Sequence, residues 1–263
     1  NREHDINESM VDLIGDALEN DKFEIAYESI EAMENMSEEE IAEIKENYGI
    51  EFNAELAKKE GARLKKMALD LRKDYLKLRN KYSPAVSKHV SKLRQRNKMQ
   101  KHNIDIYEKT LEESRSELIS ESTPELRELW NNKELTSVLQ ERELALNKEA
   151  ENTSSKEKKA YIEKAKKDVK SRFREASKRV KELESNSEKK TQAQKDYEDR
   201  ANDFYENYRD EIIQTQRAIE EARSIITMNN AEMSDVMSDK GSKRMEKVQL
   251  ERAIESINLD NYT

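Results

Sequence analysis

Apolar residues recur along most of the chain at alternating steps of three and four, the spacing of helices that bury one stripe. After Glu60 the stripe runs Leu64, Met67 or Ala68, Leu71, Tyr75, Leu78 and Tyr82. It resumes with Val86, Val90, Leu93, Asn97, Gln100, Ile104, Tyr107, Leu111, Ser114 and Leu118. From Leu93 onward these steps form a coiled-coil register with polar residues in the seam. A second series passes Ile162, Ala165, Val169, Ala176, Val180, Leu183, Tyr197, Ala201, Phe204 and Tyr208. A four-residue stutter then leads to Ile212, Thr215, Ile219, Ala222 and Ile226. Unbroken, residues 156–237 would span roughly 120 Å at 1.5 Å per residue.

Helix punctuation divides these series. Ser83-Pro84 and Thr123-Pro124 each pair a capping side chain with a proline suited to the first helical position. Ser37 followed by Glu40 reads as a capping box, opening a short helix that carries Ile41 and Ile44 and ends at Tyr48-Gly49-Ile50. Asn152-Thr153-Ser154-Ser155 reads as a linker whose last residue caps the next helix, Asn131-Asn132 as a kink, and 185–191 as a bend. Gly241 is expected to separate a final helix carrying Met245, Val248, Ile254 and Ile257.

The pattern predicts an all-α protein: an elongated antiparallel coiled-coil or helical-hairpin rod with short accessory helices at its ends. Its expected parts are an acidic short-helix head at 1–57, a long arm at 58–122 interrupted at Pro84, and a helical tip and linker at 123–155. A returning arm at 156–238 and a short C-terminal helix at 239–263 complete it. The simplest arrangement lays 60–120 antiparallel to part of 156–237.

Composition sharpens this picture. There are 106 charged residues against 50 Leu, Ile, Val and Phe, which is a thin core supply, yet only 4 Gly and 2 Pro interrupt the helices. Seams this rich in Ala, Ser, Gln and Lys predict an arm that needs another arm or another chain. No run reaches the roughly 18 apolar residues of a transmembrane helix, and no signal peptide is evident, so a soluble and cytoplasmic protein is expected. The chain opens on Asn1 rather than Met, as a processed product or a fragment would.

The net charge of -8 conceals an internal dipole. Residues 1–57 hold 3 basic and 18 acidic side chains, and residues 58–101 hold 16 basic and 3 acidic. The basic set is Lys58, Lys59, Arg63, Lys65, Lys66, Arg72, Lys73, Lys77, Arg79, Lys81, Lys88, Lys92, Arg94, Arg96, Lys98 and Lys101. Two uses fit it. In one, the acidic leader folds back and neutralises the basic set, and in the other, the set binds the phosphates of a nucleic acid without reading bases.

Catalytic signatures are sparse. Without Cys there is no thiolate chemistry, and His4, His89 and His102 form no close ligand motif, so no metal is expected. No glycine-rich phosphate loop and no nucleophile elbow occur, so neither a cofactor nor an enzymatic activity is expected. Tyr197, Phe204 and Tyr208 belong to the second stripe and read as core, and Trp130 as tip packing or an anchor for a partner. The functional expectation is a non-enzymatic scaffold or assembly adaptor that self-associates or binds a protein partner, with Trp130, Leu93, Ile104, Leu111 and Ile219 as interface candidates. The alternative is a nucleic-acid-associated helical protein using 58–101.

Overall fold

The computed structural model describes residues 2–19, 21–35, 37–48 and 54–261. Among them the chain is all-helical, with ten α-helices and no strand. It divides into two compact units, one formed by 1–99 with 233–263 and the other by 100–232.

The first unit begins with α1 (Arg2–Glu19), α2 (Phe23–Glu34) and α3 (Glu38–Tyr48). Asp21 ends α1 with φ 56°, a left-handed conformation that Asp tolerates better than most side chains. Ser37 Oγ accepts from the Glu40 amide at 3.4 Å, the first half of the expected capping box. Gly49 and Ile50, expected to end α3, lie outside the described residues, as does the side chain of Ile44. Next come α4 (Ala54–Leu78) and α5 (Pro84–Ser116), the latter opened by Ser83 accepting from the Val86 amide. The unit's core joins Met10, Val11, Ile14 and Leu18 of α1 to Phe23 and Ile30 of α2, and to Leu64, Met67, Leu71 and Tyr75 of α4. The acidic leader is therefore half of a core.

The first half of α5 buries more than one face. Val86, Val90 and Leu93 are buried, and so are Ser87, Ser91, Gln95 and Asn97. Gly15 of α1 makes room for it: a Cβ there would lie 2.4 Å from Cε of Lys92. A second cluster joins Leu78, Val86 and Val90 to Val236, with Met233, Met237 and Met245 packed on it. Val236 ends α9 (Arg209–Val236), and Met245 belongs to α10 (Asp239–Asn261).

Here the expected separator shifts. The break falls at Ser238, whose Oγ accepts from the Gly241 amide, and Gly241 lies inside the first turn of α10. A Cβ at Gly241 would stand 1.9 Å from the carbonyl oxygen of Asp235, so the glycine permits close packing of the α9 end rather than ending a helix.

The second unit holds the later part of α5, then α6 (Pro124–Glu151), α7 (Lys156–Ser185), α8 (Gln192–Glu206) and most of α9. Thr123 caps α6 by accepting from Leu126, and Ser155 caps α7 by accepting from Lys158. The linker at 152–155 turns α7 back along α6. Lys158 meets Glu149, Lys170 meets Glu143 and Arg179 meets Glu128, an antiparallel sequence of ion pairs over Leu139, Leu146, Ile162, Ala165 and Val169. The segment expected as a short tip is thus one limb of a hairpin, and α6 runs unbroken through Asn131-Asn132.

The stretch 156–237 is not one helix. A 3-10 turn at Asn186–Lys189 ends α7, and the Thr191-Gln194 capping box starts α8. Helix α8 then ends at Glu206, so the four-residue stutter coincides with a change of helix. The doubling back brings Arg172 of α7 onto Glu220 of α9 in a two-pronged pair. Another cluster, with Leu118, Leu126, Trp130, Ala201, Tyr205 and Ile212, closes the other part of this unit.

Candidate interaction surface

The described side chains of the basic run include a paired group and an unpaired one. On α5, Lys88 pairs with Glu19 and with Asp16 at 3.3 Å, Lys92 with Asp16 at 3.1 Å, and Arg96 with Asp12. Arg94 reaches Asp74 at 2.6 Å and Lys98 reaches Asp70 at 3.5 Å, both on α4. On α4 itself, Lys65 meets Glu31 and Arg72 meets Glu24 while stacking over the Phe23 ring. Burial pushes the Lys88 ammonium down, but Glu19 and Asp16 outweigh it and hold its pKa above the ordinary lysine value. Much of the α5 charge is thus spent on the α1 and α4 carboxylates.

Lys66, Lys73, Lys77 and Arg79 are exposed and have no carboxylate partner among the described residues, and the same is true of Lys101 on α5. Lys81 lies 5.6 Å over the Tyr82 ring. Arg63 is half-buried and is not among the unpaired group, and the side chains of Lys58 and Lys59 lie outside the described residues.

Beside the free lysines of α4 stand two exposed leucines, Leu69 at 48% and Leu76 at 54%. They are one heptad apart, with Lys73 between them and Lys66 one turn before Leu69, so all four share a face opposite the buried stripe. Helix α4 therefore has two apolar faces and one core to bury them in.

The same imbalance is stronger on α10. From Glu246 to Asn258 every described side chain is exposed. Leu250, Ile254 and Ile257 fall at i, i+4 and i+7, at 62%, 49% and 60% exposure. Only the N-terminal part is tied down, by Met245 in the core and by Gln249 donating to Glu19 at 3.0 Å. A helix exposed all round gains nothing from its apolar stripe until something covers it.

The expected interface residues lie elsewhere. Leu93 and Ile219 are buried within the chain, and Trp130 is stacked on Tyr205 with its indole N–H donating to Asn202 at 2.5 Å. Leu111 packs against that cluster, and Ile104 lines an open cleft of about 570 Å³ with Lys101, Arg172 and Arg223. Among the described residues no group of His, Cys, Asp and Glu is placed to hold a metal ion, and no helix is long and apolar enough to cross a membrane.

Leu69, Leu76 and Leu250 lie outside the apolar stripes expected from the sequence. The signal was present, since apolar residues one heptad apart and out of phase with the main stripe mark a second contact face. No family model, no curated protein and no solved structure matches this chain.

Proposed function

We propose that this protein is a non-enzymatic assembly module, a scaffold or adaptor that acts through helix-to-helix contacts with protein. The observation that carries the reading is α10, whose Leu250, Ile254 and Ile257 form an apolar stripe on a helix exposed on every described side from Glu246 onward. Single exposed apolar residues are ordinary, but an aligned triad on an unsupported helix implies a partner. A soluble, cytoplasmic setting belongs to this reading. So does an elongated hairpin rod, for which the α6–α7 hairpin gives local support; a radius of gyration above about 28 Å, rather than the roughly 18 Å of a compact chain of this length, is expected in solution scattering.

The polyanion alternative is weakened by the ion pairs that α5 makes with α1 and α4, and it rests mainly on Lys66, Lys73, Lys77 and Arg79.

The test places a photo-crosslinking amino acid at Ile254 in the cells that make the protein, with Lys159, exposed on α7, as control. Strong crosslinks to protein at Ile254 and few at Lys159 are expected. Equal, weak labelling at both positions overturns the reading.

A further inference from the structure

We propose that the outer face of α7 binds the phosphate backbone of duplex nucleic acid without reading its sequence. The inference goes beyond the assembly reading and is independent of it, since it concerns another helix and another class of partner.

Helix α7 buries one side through Ile162, Ala165, Val169, Ala176 and Leu183. At about 100° per residue, Lys156, Lys164, Lys167, Arg174 and Lys178 all lie within about 40° of the line opposite that side. Each of the five is exposed, and none has a carboxylate partner among the described residues. The gaps in the line are filled by Ala160 and Ser171, so no carboxylate interrupts it.

The acidic residues of the helix stand aside. From 156 to 178 there are ten basic residues against Glu157, Glu163, Asp168 and Glu175, and those four lie about 60° or more from the centre of the line. Two of them face cations of α7 itself, Glu163 with Lys166 at 3.5 Å and Asp168 with Arg172 at 4.0 Å. Glu182, paired with Arg179 at 3.2 Å, ends the stripe. The basic run 58–101 has no comparable line, because its α5 cations meet carboxylates of α1 and α4 and its unpaired α4 lysines flank Leu69 and Leu76.

This stripe carries charge and little else, and that selects the partner. No large apolar side chain of α7 is exposed, so a partner helix finds no seam there and a bilayer no anchor. The rings of Tyr161 and Phe173 are half-buried and off the line, which leaves no platform for the bases of a single strand. A duplex asks only for cations aimed at its phosphates. Lys156 and Lys178 are about 33 Å apart along the helix, close to the roughly 34 Å of one duplex turn, which sets the stripe against phosphates bordering one groove. The chain as a whole carries -8, so binding depends on this local concentration of positive charge rather than on net charge.

Fluorescence anisotropy of a labelled duplex of about three helical turns, titrated with the full chain from about 50 to 200 mM salt, tests this. Affinity is expected to fall by a factor on the order of 10²–10³ over that range, because about five neutralised phosphates release their counterions. Lys164→Gln/Lys167→Gln/Arg174→Gln/Lys178→Gln is expected to weaken binding at least about tenfold at low salt and to flatten the slope of log affinity against log salt by about 3–4. Lys66→Gln/Lys73→Gln/Lys77→Gln/Arg79→Gln removes the same charge from α4 and is expected to weaken binding far less. All eight positions are exposed, and retained helicity and unfolding midpoint check that both variants fold. No duplex binding by the full chain overturns the proposal, and so does an equal loss in the two variants, which assigns binding to bulk charge. Tighter capture of a single strand of the same length, or of vesicles containing anionic lipid, overturns it by naming another partner. Failure of the Ile254 crosslink would remove the assembly reading and leave each of these outcomes unchanged.

Discussion

Trp130 of α6 lies flat against Tyr205 of α8, their ring centroids 4.4 Å apart and their planes 6° from parallel. The Tyr205 hydroxyl donates to Oε1 of Glu134 at 2.6 Å, and Arg115 of α5 donates to Oε2 at 2.9 Å. One buried carboxylate thus ties three helices together beneath an aromatic stack. Burial and the Glu134 charge push the Tyr205 phenol far above its ordinary value, so it remains a donor.

Removing the donor should be costly because the acceptor is buried. Tyr205→Phe keeps the ring on Trp130 and leaves Glu134 a hydrogen bond short, and a loss of about 1–3 kcal/mol is expected. Chemical denaturation of the purified variant measures it. An unchanged midpoint would show that Glu134 finds another donor.

The pH dependence has two opposed parts. Burial raises Glu134 above its ordinary 4.5, against the pull of Arg115 and Tyr205. The folded chain holds that proton more tightly than the unfolded chain, so this contribution is complete below 4.5 and is lost as pH rises through the elevated folded value. For Asp16 burial pushes upward, but Lys92 and Lys88 prevail and hold it below 3.8, so its contribution is present above 3.8 and is lost as pH falls through the depressed folded value. The stability difference between wild type and Glu134→Gln should shrink as pH climbs past 4.5. That between wild type and Asp16→Asn should shrink as pH drops below 3.8. Thermal unfolding across acid to neutral pH reads both, and parallel curves would refute the assignments.

Two glycines should respond differently to alanine. At Gly241 the new Cβ meets the backbone of Asp235, which cannot rotate away, and a cost of about 1–3 kcal/mol is expected. At Gly15 it meets the Lys92 stem, which can move, and the helix-propensity gain of about 0.5–1 kcal/mol offsets the lost contact. Denaturant midpoints of the two variants should therefore fall clearly for the first and barely move for the second.

Glu220 is 3% exposed and is held by the two-pronged contact from Arg172, with Arg223 a longer 3.9 Å away. Arg172→Ala removes both hydrogen bonds to that buried carboxylate, leaving only the longer Arg223 pair, and is expected to cost about 3–5 kcal/mol, whereas Arg217→Ala, which releases Glu141 at the surface, should cost less than about 1 kcal/mol. Equal unfolding midpoints for the two variants would place Glu220 in water.

Local chemistry was sufficient for some of this architecture. The helical class, the caps at Ser83, Thr123 and Ser155, and the turn at 152–155 follow from residues within a few positions of one another, because caps and periodicity act over one or two turns. The stripe through Leu64, Leu71 and Tyr75 marks a buried face whatever helix packs on it. Which helices meet was a tertiary decision. Seams of Ala, Ser and Gln fit several neighbours about equally well, so periodicity did not reveal that α7 lies along α6 or that Arg172 returns onto Glu220. The change from α8 to α9 carries neither Gly nor Pro, and a register stutter reads the same in a continuous helix as in a broken one. The basic run 58–101 was plain in the sequence, but its division was not. Lys88, Lys92 and Arg96 face carboxylates of α1 that lie far away along the chain, while Lys66 and Lys73 face outward, because charge pairing depends on distances that only the folded packing sets.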